Sequence, residues 1–145
     1  MIDEPARAPD RSYGSIQAGE EASFSRVIDA AVVATFATLT GDFNPLHMDG
    51  VYAATTQFGE RVAHGMLVAS YFSTLVGMYL PGRRAVFLSQ DVRFAKPVRL
   101  GERITFRGRV RRKTDSLKML DLDTWALNDA GEEVVRGRAQ VMVLS

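Results

Sequence analysis

The stretch Gly65–Tyr79, GMLVASYFSTLVGMY, decides how the rest of the chain must be arranged. Its apolar residues fall nearly all the way round a helical wheel, so it reads as a helix buried on most sides rather than along one stripe. Pro81-Gly82 ends it. From Met66 to Leu80 the apolar run is broken by Ser70, Ser73, Thr74 and Gly77, and it is shorter than the ~18–20 residues of a membrane span. Such a helix needs other elements wrapped around it.

Those elements lie downstream. From Arg84 to Leu144 alternating patterns are separated by turn signals at KPVRLGE, around Asp115, and at Asn128–Gly131, which predicts roughly four long strands. In one, Ile104, Phe106, Gly108 and Val110 alternate with Thr105, Arg107, Arg109 and Arg111. In another, Val135, Gly137, Ala139, Val141 and Val143 alternate with Arg136, Arg138, Gln140 and Met142. The small Gly137 and Ala139 are expected to let the helix lie close.

Upstream, Ala22–Val27 reads as a short strand. Asp29 caps a helix over about Ala30–Leu39 with Val32, Val33, Phe36 and Leu39 on one side. Gly41–His47 should be irregular, since Pro45 biases Asn44 away from helix. Asp49 caps a further short helix to about Phe58. Helices followed by an antiparallel run of strands make an α+β pattern, a sheet wrapped around a long central helix. Five strands cover one side of that helix only, so a second copy is expected to cover the other.

The 145 residues suit one domain, and 18 basic against 17 acidic residues leave a net charge of +1, too weak a field to draw nucleic acid or membrane. Arg107, Arg109, Arg111 and Lys113 share one strand face by period, but Asp121, Asp123, Arg136 and Arg138 on neighbouring strands point to cross-strand ion pairs instead of a nucleic-acid surface. The absence of cysteine removes disulfides, thiolate metal sites and a cysteine nucleophile. Acids and prolines in the first 18 residues fit a flexible lead without an export signal, which places the protein in the cytoplasm, with the domain over 19–145.

The chain has two histidines, His47 and His64. Asp42 and His47 bracket Asn44-Pro45 in a segment that is neither helix nor strand, where both side chains can turn toward one point. A carboxylate beside an imidazole suits proton transfer near neutral pH. An Asx turn at Asp42 and Asn44 with a packed His47 explains the same residues, and both readings stay open at this level. Gly65 opens the long helix, where unpaired N–H groups favour developing negative charge, although a glycine used only for helix entry is an equal explanation. His64 is weighed as a cap or packing group.

The run GDFNPLHMDGVYAATTQFGERVAHGMLVASYFS over 41–73 and FAKPVRLGE over 94–102 resemble the MaoC-type (R)-specific enoyl-CoA hydratases, a likeness extending from about Gly19 to the C-terminus. The resemblance implies a hot-dog fold, a homodimer, and reversible hydration of trans-2-enoyl-CoA to (3R)-3-hydroxyacyl-CoA in fatty acid metabolism. It implies that Asp42 and His47 are the catalytic pair, that Asn44 supports them, and that the Gly65 N–H meets the thioester oxygen. It further implies that Ser73 lies beside the reacting end of the acyl group and that Val76 and Val141 fall at positions that can line the acyl pocket. No metal or other cofactor is implied.

Coenzyme A and acyl carrier protein present the same thioester, and Arg83, Arg84, Arg93, Lys96 and Arg99 are the candidate phosphate contacts. Dehydration of a (3R)-hydroxyacyl carrier protein is the alternative reaction. A thioesterase leaves the Asp42/His47 pairing unexplained, and a non-catalytic acyl-thioester-binding module leaves the whole set unexplained.

Overall fold

The computed structural model describes residues 7–145; the first six residues of the expected lead lie outside the described residues. In chain order it runs β1 (Glu21–Ile28), α1 (Ala30–Thr40), α2 (Pro45–Met48), α3 (Gly50–Ala54), α4 (Gly65–Met78), β2 (Ala85–Phe94), β3 (Glu102–Thr114), β4 (Met119–Leu127) and β5 (Glu133–Val143). The five strands form one antiparallel sheet in the order β1-β3-β4-β5-β2, curled around α4. This is the hot-dog arrangement.

Within one chain α4 is buried on one face and bare on the other, the side that a second copy is expected to cover. Leu67, Val68, Ala69, Phe72, Leu75 and Val76 are buried, while Met66, Ser70 and Ser73 form an exposed face, with Met66 61% exposed. The helix is amphipathic, and its outer face is made mostly of small polar residues whose low polarity made the wheel look uniform. Aromatic packing fixes its inner face: Phe106 of β3 lies 5.0 Å from Tyr71 and 6.1 Å, edge-on, from Phe72, and Phe24 of β1 stacks on Phe106 at 5.2 Å.

The helix comes close at Gly108 of β3, where an added Cβ would meet Leu75 Cδ2 at 2.8 Å. Gly137, which was expected to serve this purpose, admits a neighbouring strand instead: a Cβ there would lie 1.9 Å from the Asp91 carbonyl oxygen of β2. The Gln90 side chain reaches Thr124 Oγ1 at 2.9 Å across this glycine strand.

On the outer face, Arg112 pairs with Asp121 at 2.9 Å and Arg138 with Asp123 at 3.5 Å. The two-residue period of the basic row fails because β3 bulges between Val110 and Arg112. Arg112 thereby takes the place expected of Arg111. Lys113 turns away to donate to the carbonyls of Tyr13 and Ile16.

Those last bonds show that the segment expected to lead loosely into the domain is held against it from Pro9 onward. Ile16 is fully buried with Val76, Leu80, Val110, Val141 and Val143. The Arg83 N–H donates to the Pro9 carbonyl, Arg11 pairs with Glu20, and the Arg11 guanidinium holds the Glu20 carboxyl below the usual carboxylate range. Among the described residues no helix is long and apolar enough to cross a membrane.

Candidate active site

The segment between α1 and α4 builds the site by a series of local caps. Asp29 caps α1, accepting from the Val32 N–H at 2.9 Å. The helix ends on Gly41 in the left-handed region at φ 79°, where its N–H bonds to the Ala37 carbonyl. The chain turns sharply there and presents Asp42. One carboxylate oxygen, Oδ1, accepts from the Asn44 N–H at 3.1 Å. The Asx turn is therefore real, and it does not compete with a catalytic role, because it engages only one of the two oxygens.

The stretch expected to be irregular as far as His47 contains a helical turn, α2. Pro45 stands at its first position, where the missing N–H costs nothing, and Asn44 caps it by accepting from the Leu46 N–H at 3.0 Å. Asn44 thus supports His47 by starting the turn that carries it. The following helix, expected to reach about Phe58, stops at Ala54 and is capped by Asp49.

His47 is oriented from two sides. Its Nδ1 lies 2.7 Å from the Val62 carbonyl oxygen. A carbonyl only accepts, so Nδ1 carries the hydrogen, and Nε2 is the atom available for proton exchange. Arg61 Nε donates to the His47 carbonyl at 2.6 Å. Arg61 was not singled out from sequence; an arginine bonded to a main-chain carbonyl leaves no pattern there. The segment is pinned in turn by Ala63, whose N–H donates to the Val98 carbonyl at 2.7 Å.

His64 belongs to this cluster. One nitrogen or oxygen from each of Asp42, His47 and His64 lies within 4.8 Å of the others. The two imidazoles overlap, with ring centroids 4.1 Å apart and planes 33° apart. A metal ion needs lone pairs converging in both ring planes at about 2.0–2.1 Å, and rings lying over one another do not converge readily. The arrangement suits a small neutral molecule such as water between a carboxylate and an imidazole.

Gly65 follows as the first residue of α4, so its N–H has no acceptor within the helix. Phe94 of β2 covers it: a Cβ at Gly65 would meet the ring at 2.9 Å. Beside them lies an apolar depression of about 510 Å³ lined by Phe58, Val62, Met66, Val68, Phe94 and Pro97, with Lys96 in its wall.

Three expected pocket residues are not brought to this point within one chain. Ser73 is exposed on α4, about 12 Å along the axis from Gly65 at ~1.5 Å per residue. Val76 is one turn further, and Val76 and Val141 are buried together in the second core cluster. Of the five candidate phosphate contacts, Arg84 pairs with Asp10, Lys96 with Glu132 and Arg99 with Glu60.

Comparison with known proteins accords with this geometry. The model of the MaoC like domain matches residues 14–124. The (R)-specific enoyl-CoA hydratase of Aeromonas caviae is 40% identical over 130 residues, covering 90% of this chain and 97% of that one. The enzyme of the same description from Rhodospirillum rubrum is 37% identical over 131 residues, covering 90% of each. The solved structure of the A. caviae (R)-hydratase involved in PHA biosynthesis superposes with a TM-score of 0.87 at 39% identity, over 90% of this chain and 98% of that chain.

Proposed function

Because the chain belongs to the MaoC like domain family, we propose that it hydrates trans-2-enoyl-CoA reversibly to (3R)-3-hydroxyacyl-CoA. One observation carries the reading. Asp42 keeps an oxygen outside its Asx turn and His47 keeps Nε2 outside its bond to Val62, one atom of each lies within 4.8 Å of the other and of His64, and His64 immediately precedes Gly65, whose N–H has no acceptor within α4. Water held between the carboxylate and the imidazole loses a proton as its oxygen attacks C3, and a proton is delivered to C2 on the same face. The negative charge that develops on the thioester oxygen meets the Gly65 N–H at the start of α4. The test is direct: purified protein should consume the conjugated absorbance of crotonyl-CoA and yield the (3R) alcohol, and do so faster than with crotonyl-carrier protein. Release of free thiol instead would identify a thioesterase.

The assembly proposed is a homodimer. β2 is an edge strand ten residues long carrying exposed Phe87, Leu88 and Phe94, and the exposed face of α4 carries Met66. Long edges with apolar side chains are template surfaces for a second chain. Sedimentation at micromolar concentration should therefore show a dimer or a multiple of dimers, and a stable monomer would refute this.

Ser73 is proposed to face the acyl group, with Val76 and Val141 behind it. Short to medium chains, roughly four to eight carbons, are then preferred because side chains of modest size bound the space. Replacing Ser73 by Phe should cut kcat/KM for eight-carbon substrate at least about tenfold more than for four-carbon substrate. Equal losses at all lengths would remove Ser73 from the pocket.

A further inference from the structure

His64 is one of only two side chains with polar or charged character that are buried, at 2% exposure, among the described residues. Its surroundings are specific. Nε2 lies 3.0 Å from the Asp42 main-chain oxygen, the ring overlaps His47 at 4.1 Å, and Phe36 of α1 packs on it with centroids 4.8 Å apart. It also stands at the N-cap of α4, immediately before Gly65, yet makes no side-chain capping bond.

Of the two roles the sequence leaves open, capping is therefore absent, and plain packing explains the residue poorly. Nδ1 is buried without a hydrogen-bond partner, an arrangement that costs about 1–3 kcal/mol. An apolar side chain would fill the same space without that cost. What an apolar side chain cannot do is donate to Asp42. The acceptor is a carbonyl, so Nε2 carries the hydrogen and the ring is held in the Nε2–H form.

We propose that His64 is a positioning residue for the hydration. Its Nε2–H fixes the main chain of Asp42, and its ring face sets the plane of His47, so that one side chain holds both members of the acid/base pair in register with the adjoining Gly65 N–H. The role rests on the hydratase reading and extends it to a residue that touches neither water nor thioester. It follows from position: α1 ends at the Asp42 turn, α2 carries His47, α4 begins at Gly65, and His64 is the side chain that contacts the first two and precedes the third.

The experiment compares His64→Leu, His64→Gln and His64→Asn on crotonyl-CoA, beside the wild type. Misplacing a reacting group by about 1 Å costs on the order of a hundredfold, so His64→Leu should lose at least about thirtyfold in kcat with KM changed less than about threefold. Its Tm should hold or rise, because the unpartnered buried nitrogen is gone. Glutamine places its amide N–H where Nε2 stood and should recover at least about tenfold of that loss; asparagine, too short to reach Asp42, should recover little.

Packing alone predicts the reverse, with leucine tolerated and activity and Tm falling together in glutamine. Retention of kcat within threefold in His64→Leu, or glutamine no better than asparagine, would overturn the proposal. Should His64→Leu not fold, the glutamine–asparagine pair decides by itself. A readout independent of turnover completes the test: long-range ¹H–¹⁵N correlation should find His64 in the Nε2–H form, assigned by elimination with His47→Ala, and an Nδ1–H form would overturn the proposal. Absence of turnover in the wild type, with His64 in the Nε2–H form, would count against the hydratase reading instead.

Discussion

Asp42→Asn and His47→Ala should each remain folded and lose at least about a hundredfold in kcat/KM on crotonyl-CoA, or ~2.7 kcal/mol of transition-state stabilisation. Asp42→Asn is the sharper of the two. Asparagine retains the side-chain oxygen that accepts from the Asn44 N–H at 3.1 Å, so the turn that follows α1 persists. What it loses is the second carboxylate oxygen and with it the ability to take a proton. A merely turn-forming Asp42 predicts little change in rate. His47→Ala removes Nε2 and also the bond from Nδ1 to the Val62 carbonyl at 2.7 Å, so its folding should be checked by circular dichroism before its rate is interpreted. If Asp42→Asn turned over near normally, water would be activated elsewhere and the role given to Asp42 would be wrong.

The largest effect on stability is expected at Gly137, away from the chemistry. An alanine Cβ there would stand 1.9 Å from the Asp91 carbonyl oxygen and 2.9 Å from Gln90 Nε2. No rotamer relieves a contact with main chain, so β2 must move away from β5. Displacement of this kind should cost about 3 kcal/mol or more, which for a chain of this size lowers Tm by roughly 6–12 °C at ~2–4 °C per kcal/mol. The Gln90 bond to Thr124 would go with it. β2 also carries Phe94, whose ring covers Gly65, so kcat/KM should fall in Gly137→Ala even at temperatures where the protein remains folded. Urea unfolding indistinguishable from wild type would mean that the sheet yields more easily than its packing implies.

Much of the local structure was legible because short-range chemistry decides it. Asp29 before a run of helix formers, Gly41 at a left-handed stop, and Asp49 before a short helix each satisfy main-chain groups within a few residues. The same chemistry points two ways where two rules meet. Pro45 argues against helix for the residue before it and for helix in the turn it begins, and both effects act here, with Asn44 outside α2 and Pro45 opening it. The strand period of the basic row holds up to Val110 and fails at the bulge beyond it, since a bulge answers to the partner strand and carries no mark in its own residues.

By itself the sequence determined the α+β order, the antiparallel strands, the central helix and the segment in which Asp42 and His47 approach one another, because all of these rest on periodicity and on caps within a few residues. Tertiary structure decided what depends on residues far apart in the chain. It assigned Gly108 to the helix and Gly137 to β2, drew Ile16 into the core beside Val141, and turned Lys113 toward the N-terminal segment. It also placed His64 between Asp42 and His47. The reason is the same in each case: a close approach or a buried hydrogen bond is a property of two surfaces meeting, and one of those surfaces is always missing from the local sequence.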